Sequence, residues 1–313
     1  MAIKKFALIG LAGYVAQRHV KAIKETGNEL IAALDPCDSV GFIDSFFPET
    51  NFFTEYERFD RHIDKLKRQG IKIDYTSICS PNYLHDSHIR FSLRNGADAI
   101  CEKPLVLNPW NVDALAEIEN ETHQHVNTIL QLRLHPHLIA LKKEIQSHPA
   151  QLYDVDLTYI TGRGNWYYFS WKGDIHKSGG IATNIGIHFF DLLIWLFGNV
   201  TDSKLFLSDD TKASGFIQLK NARVRWFLSL DVHDIPSTYN EQGKRTFRSI
   251  LVNGKEIEFS EGFTDLHTLS YQKILDGHGF GLNDARPSIE LVYQIRNASL
   301  SPLKDDYHPF CLK

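Results

Sequence analysis

The chain has 313 residues, 43% of them hydrophobic and 23% charged, with a formal net charge of -4. That length predicts two domains or one large one; the composition excludes disordered and fibrous classes, and mild acidity without a long basic run argues against nucleic acid as the main partner. No apolar stretch of about eighteen residues is read, and Met1-Ala2-Ile3-Lys4-Lys5 runs into strand-like sequence instead of a signal peptide, so no membrane partner and a cytoplasmic address are expected.

In chain order, residues 5–9 read as a strand, 14–26 as a helix, 29–34 as a strand and 55–69 as a helix. Residues 74–79 read as a strand, 83–95 as a helix closed by Gly96, and 98–101 as a strand, after which Asn108-Pro109 opens a further helix. The strands are nearly continuous apolar runs, such as Phe6-Ala7-Leu8-Ile9 and Ile31-Ala32-Ala33-Leu34, as a parallel sheet covered on both faces requires. This is the pattern of a doubly wound α/β domain. Segment 36–54 has no clear helical period and is assigned no chemistry.

From residue 151 onward the texture changes to strands with few helices, at 152–160, 204–207, 216–219, 224–230, 249–252 and 256–259. Asn253-Gly254 between the last two is a hairpin turn. Val224, Trp226, Leu228 and Leu230 share one face, and Arg225, Phe227 and Ser229 the other. The first face would pack on helices; the second would stay partly open and invite a partner subunit, an ordinary solvated face being the alternative. The expected domains are 1–130 for a dinucleotide and 131–313 for substrate binding and oligomerisation.

The first strand-to-helix turn of a doubly wound domain receives the ligand phosphate. Here it is Gly10-Leu11-Ala12-Gly13-Tyr14-Val15-Ala16, a longer loop than Gly-x-Gly-x-x-Gly, with Ala16 at the third small position. The second strand ends in Leu34-Asp35, and an acidic residue there suits the ribose hydroxyls of NAD and repels the extra phosphate of NADP. Asp35 could instead be a turn residue before Pro36. Ser80-Pro81-Asn82 follows the next strand at its carboxyl end, with His85 within one helical turn, so Ser80, Asn82 and His85 are candidates for the cofactor's surroundings. His85 and His88 could pair on a metal, but no third ligand recurs at suitable spacing and none is assigned. Cys37, Cys79, Cys101 and Cys311 form no Cys-x-x-Cys pair, which fits reduced thiols and argues against disulfides or structural zinc.

Cys101-Glu102-Lys103-Pro104 sets a lysine just past a strand, and Gly179-Gly180 leads into Asn184-Ile185-Gly186-Ile187-His188 on a helix reaching Phe197 that is apolar nearly all round and therefore buried. Asn184 and His188 share a face, with Asp191 one turn on. His188 is either a ligand-facing group or a core histidine held by backbone or by Asp191. Together Lys103 and His188 supply what oxidation of a secondary alcohol requires, a cation for the developing alkoxide and a base for the proton.

With Glu102-Lys103-Pro104, Gly179-Gly180 and His188 in this order, the chain resembles the glucose-fructose oxidoreductase and inositol dehydrogenase family. The resemblance implies an N-terminal Rossmann domain, with Glu102 and Lys103 bordering the cofactor, and a C-terminal α+β domain with an open antiparallel sheet. It departs at Asn184, where most members carry Asp, and in the longer phosphate loop. Within the family, the phosphate loop Gly10 to Ala16, Ser77 to His85, Cys101 to Trp110, Gln131 to Pro136 and Asn184 to Asp191 are similar to the bacterial UDP-N-acetylglucosaminuronate 3-dehydrogenases. These oxidise C3 of the sugar to a ketone in the synthesis of surface polysaccharide sugars, and in some members 2-oxoglutarate reoxidises the bound cofactor. A homotetramer or homodimer through the C-terminal sheet is expected.

A UDP-uronate is anionic, so cationic and aromatic residues should line its site. Arg163 and Lys172 are candidates for the carboxylate or diphosphate, Trp166 and Tyr168 for the sugar or base, and Arg133 for a further contact; packing or an oligomer contact is the alternative for the aromatic residues. His188 would take the proton, Lys103 would hold the oxygen, and Asn184 would orient the sugar or His188. Two other readings remain at this point: oxidation of a free polyol or aldose, and a non-catalytic NAD-binding sensor.

Overall fold

The computed structural model describes residues 2–257, 265–304 and 306–312. Its first elements are Lys5–Ile9 (β1), Ala16–Glu25 (α1), Glu29–Leu34 (β2), Asn51–Phe53 (β3), Tyr56–Arg68 (α2) and Tyr75–Ile78 (β4). They continue with His85–Arg94 (α3), Asp98–Cys101 (β5), Pro109–Thr122 (α4) and Val126–Thr128 (β6). Pro136–Ser147 (α5), Tyr153–Thr161 (β7), Trp166–Phe169 (α6), Ile175–Ser178 (α7), Ile187–Phe197 (α8), Val200–Ser208 (β8) and Lys212–Leu219 (β9) follow. The last are Ala222–Ser229 (β10), Ser237–Asn240 (α9), Thr246–Val252 (β11), Lys255–Glu256 (β12), Leu266–Leu275 (α10) and Leu282–Asn297 (α11).

The chain divides into two compact units, Met1–Leu134 with Gly262–Arg286, and His135–Glu261 with Pro287–Lys313. Of the described residues, 265–286, which the sequence reading assigned to the second domain, therefore return to the first. Nothing local in that segment announces the return.

In the first unit β1 to β6 form one parallel sheet in the order β3-β2-β1-β4-β5-β6. This is the doubly wound Rossmann order, whose switch point lies between β1 and β4. Side chains alternate across β1. Phe6 and Leu8 pack with Val20 and Ile23 of α1, whereas Ala7 and Ile9 pack with Phe59 and Ile63 of α2. With both faces covered, an unbroken apolar run is the sequence such a strand needs.

In the second unit β7 to β12 form a sheet in the order β12-β11-β7-β10-β9-β8. The sheet is mixed, which corrects the antiparallel expectation: β7 and β10 pair in parallel and the other neighbours antiparallel. Asn253 and Gly254 both take positive φ, at 50° and 75°, as the two central residues of a tight hairpin do. The strand read at 256–259 begins in β12, and residues 258 and 259 lie outside the described residues. On one face Trp226 meets Phe190 of α8 edge-on at 5.3 Å. On the other, Phe227 is 1% exposed, because the C-terminal segment brings His308 and Phe310 over it. That part of the face is closed by the chain itself instead of standing open.

The helical run Ile175–Phe197 has the length and apolar character of a membrane span, correcting the reading that no such stretch exists; 72% of its most apolar window is buried inside the protein. It is the core helix of the second unit.

Candidate active site

The phosphate loop is shaped by a backbone contact that a side chain would forbid. Gly10 has φ 93°, and a Cβ there would lie 2.5 Å from the Cys79 carbonyl carbon and the Ser80 nitrogen. The loop closes on itself, Gly13 N donating to Gly10 O and Ala16 N to Gly13 O, and Gly10 N ties it to β2 at Leu34 O. Neither Tyr14 nor Val15 donates its amide to these internal bonds, and Tyr14 is 88% exposed. The start of α1 thus offers the donors and dipole that a pyrophosphate takes. Asp35 accepts from Ala12 N through Oδ2 and from Cys37 N through Oδ1, both at 2.9 Å. Each oxygen keeps a lone pair free of these bonds, so Asp35 can hold the loop and still accept ribose hydroxyls. These residues fit a dinucleotide.

Across the switch point, Ser80 Oγ lies 2.8 Å from His88 Nδ1, and Asn82 is buried. The His85 ring bridges two carbonyls, Nδ1 to Pro104 O at 2.7 Å and Nε2 to Ser80 O at 2.8 Å. It ties the turn after β4 to the turn after β5. Burial lowers its pKa more than the carbonyls raise it, so at neutral pH one of the two receives its proton.

Glu102, the first residue past β5, is 6% exposed. His19 Nε2 from α1 and His267 Nε2 from α10 each stand 3.0 Å from its Oε1, and Lys103 N donates to Oε2 at 3.3 Å. His19 Nδ1 meets the Tyr271 hydroxyl at 2.7 Å, and Ser77 Oγ meets that hydroxyl at 2.6 Å. Burial would push the Glu102 carboxyl up; the hydrogen bonds from the two histidines outweigh it and hold the group well below the usual carboxylate range. The three ligand-type atoms lie within 4.8 Å of one another, a span a metal ion could bridge; in the structure, hydrogen bonds join them. Sequence reading missed His19, Ser77, His267 and Tyr271. Only His19 left a signal, falling with Ala16, Val20 and Ile23 on the buried side of α1.

Arg133 is buried in the first unit. Its guanidinium donates to the Asp284 carboxylate at 3.1 Å and carbonyl at 3.0 Å and lies over Phe280. It anchors the returning segment.

In the second unit Gly179 and Gly180 both take positive φ, 83° and 80°, turning the chain from α7 into a π-helical turn at Ala182–Gly186 that carries Asn184. Such turns recur at functional sites. Asn184 and His188 are half-buried; the His188 ring packs against Phe189 at 4.1 Å and edge-on to Tyr159 at 6.0 Å. Asn184 Nδ2 donates to the hydroxyl of Tyr167 at 2.6 Å. Tyr167, and not its neighbours Trp166 and Tyr168, is the buried aromatic residue of its segment, a distinction no period in so short a helix could signal. Trp166 and Tyr168 are 54% and 40% exposed, Arg163 is exposed, and Lys172 lies over Trp171 at 4.3 Å and Trp166 at 5.9 Å. Lys103 belongs to the first unit, and Asn184 and His188 to the second.

Comparison with known proteins agrees with this geometry. Residues 4–129 match the oxidoreductase family with NAD-binding Rossmann fold, and residues 151–255 match that family's C-terminal alpha/beta domain. The WlbA (WbpB) dehydrogenase from Thermus thermophilus, solved with NAD and alpha-ketoglutarate, is 53% identical with a TM-score of 0.95, over 98% of this chain and 100% of that one. The same dehydrogenase solved with NAD and UDP-GlcNAcA is 52% identical over the same shares, again with a TM-score of 0.95. Inositol 2-dehydrogenase of Rhizobium meliloti is 27% identical over 62% of this chain, and the match spans about half (55%) of that relative's length. Matched in both units and along its whole length, the chain belongs to the Gfo/Idh/MocA oxidoreductase family, with an NAD-binding Rossmann domain ahead of the family's C-terminal alpha/beta domain.

Proposed function

We propose that the protein oxidises the C3 hydroxyl of UDP-N-acetylglucosaminuronic acid to the 3-keto sugar with NAD, in the cytoplasm, on the way to a sugar of surface polysaccharide such as lipopolysaccharide O-antigen. The observation that carries this reading is the end-to-end likeness, at 52% identity, to a dehydrogenase solved with NAD and UDP-GlcNAcA. NAD, when bound, supplies the hydride acceptor. The Tyr14 and Val15 amides hold its pyrophosphate, and Asp35 accepts from its ribose. Lys103 donates to the sugar oxygen and stabilises the developing alkoxide; His188 removes the hydroxyl proton. Asn184, tied to Tyr167, orients the sugar or His188 and cannot itself accept the proton, because an amide does not titrate near neutral pH. Contacts of Arg163, Lys172, Trp166 and Tyr168 with the distant carboxylate, diphosphate and base would fix the ring carbons for transfer.

We further propose that 2-oxoglutarate can serve as reoxidant. The likeness to the dehydrogenase solved with NAD and alpha-ketoglutarate supports this. The keto acid would accept the hydride and one proton to become 2-hydroxyglutarate, restoring the oxidised cofactor. A homotetramer or homodimer through the C-terminal sheet is the assembly proposed. The test is a reaction containing protein, NAD and UDP-N-acetylglucosaminuronate, followed by nicotinamide absorbance and, with 2-oxoglutarate present, by 2-hydroxyglutarate. UDP-N-acetylglucosamine and free glucose serve as comparisons. Turnover on glucose alone would replace the nucleotide-sugar reading with an aldose one.

A further inference from the structure

The hydrogen bonds around Glu102 fit an ionised carboxylate beside a neutral His19, the form that burial of the imidazole favours. An ionised carboxylate only accepts, so His19 and His267 both donate to it from Nε2. His19 is then bare at Nδ1 and accepts from Tyr271, whose oxygen accepts in turn from Ser77. The bonds from His19 to Ser77 are then all made with the charge left on the carboxylate. Burial lowers the His19 imidazole, and burial first, then the Glu102 charge, raises the thiols of Cys79 and Cys101, so these three keep their neutral forms. Burial likewise raises the phenol of Tyr271.

This buried negative charge stands at a particular place. Glu102 follows β5 directly and precedes Lys103, and ligands of open parallel sheets bind beyond the carboxyl ends of the strands. A lysine alone at that edge would favour the reduced nicotinamide, which is neutral, over the oxidised ring, which is cationic. A carboxylate one residue away acts in the opposite sense, through a protein interior that weakens its field less than water does.

We propose that Glu102 is a fixed counter-charge of the cofactor site, held in place by His19 and His267, which biases the bound cofactor toward its oxidised, cationic form. The proposal rests on the NAD-dependent reading above and extends it from binding to redox poise. It assigns the two histidines a positioning role: they touch Glu102, and Glu102 acts on the ring through its charge.

The test is equilibrium binding of NAD and of NADH to the unmodified protein and to Glu102→Gln, without sugar and at about pH 8, above the ordinary histidine range. Glutamine keeps an oxygen for both histidine donors and removes the charge, at the loss of the long bond that Oε2 accepts from Lys103 N. The ratio of the NAD dissociation constant to that of NADH should rise roughly tenfold in the variant, the scale of one charge acting across a protein interior. A ratio unchanged by the substitution overturns the proposal. Should Glu102→Gln fail to fold, the unmodified protein still decides. The two ligands carry the same phosphates, so exposed charges largely cancel from the ratio, and a buried one is not screened. The ratio should stay within about twofold between about 0.05 and 0.5 M salt; a ratio that collapses with salt assigns the preference to surface charge and sinks the idea. Failure of both cofactor forms to bind removes the NAD reading itself, which separates that outcome from a shift in poise.

Discussion

Asn184 donates its side-chain amide to the hydroxyl of Tyr167, which is 3% exposed and held from a different turn of the second unit. The tyrosine's own hydrogen is thereby left for another acceptor. Tyr167→Phe should lower stability by about 1 kcal/mol, the net worth of one such bond. It should also reduce kcat/KM for the sugar while leaving NAD affinity unchanged. Asn184→Asp reverses the bond, with Tyr167 donating, and should preserve the fold. Urea unfolding with cofactor titration checks both, and equal losses in sugar and NAD binding would count against a sugar-side role.

Asp35 holds the phosphate loop at Ala12 and is proposed to accept from the ribose as well. Asp35→Ala should therefore weaken NAD by roughly 1 to 2 kcal/mol and lower the preference for NAD over NADP. Titration of both cofactors measures it. Tighter NADP binding by the unmodified protein would contradict the assignment.

Lys103 and His188 are proposed to act on one hydroxyl. Lys103→Ala and His188→Ala should each reduce kcat by about two to four orders of magnitude with NAD binding intact, and the double variant should lose about as much as the worse single one. Multiplicative losses in single-turnover kinetics would show two independent roles.

A uronate carries a carboxylate that the neutral sugar lacks. If Arg163 or Lys172 reads it, UDP-N-acetylglucosaminuronate should be preferred over UDP-N-acetylglucosamine by about 10²-fold or more in kcat/KM, and alanine at the responsible residue should narrow that gap. Lys172 already stacks on Trp171, so its replacement should also disturb the loop. Equal kcat/KM for the two sugars would remove the uronate and leave the dehydrogenase.

Stability should be sensitive to acid in a defined window. Burial lowers the pKa of His19, His85 and His88 from the ordinary 6.5, that of His88 to about 4. An unfolded chain takes up these protons first, so the support from the neutral rings is complete above pH 6.5 and is lost as pH falls toward the folded values. Glu102, depressed instead, keeps its contribution above its unfolded 4.5 and loses it only at lower pH. The urea midpoint should be flat from about pH 8 to 6.5 and fall steeply toward about pH 4, His88 alone accounting for about 3 kcal/mol. His88→Gln should flatten the upper part of that fall.

The first unit was largely legible because its strands are buried on both faces, which writes them as unbroken apolar runs: residues 5–9, 29–34 and 98–101 are the strands found. Lys103 and His188 were legible as motif positions. What surrounds them was not. His267 and Tyr271 sit on α10, a helix that the sequence reading did not identify, since its buried side carries His267, Ser270 and Tyr271 among apolar residues and blurs the period. Their partners His19 and Ser77 lie 252 and 194 residues from Tyr271, a separation that only the folded chain closes.

The return of residues 265–286 has a consequence for taking the protein apart. Tyr271 stacks on Phe6 of the first strand at 5.9 Å, and His267 supplies one of the two donors to Glu102. A fragment stopped at the apparent boundary near residue 130 would expose that ring's partner and leave Glu102 with one histidine donor where the whole chain gives it two. The nucleotide-binding half is therefore not a detachable cassette. It is stitched through the rest of the chain, so transplanting it, or splitting the gene at that point, should yield an insoluble product unless the distant helix is supplied in trans.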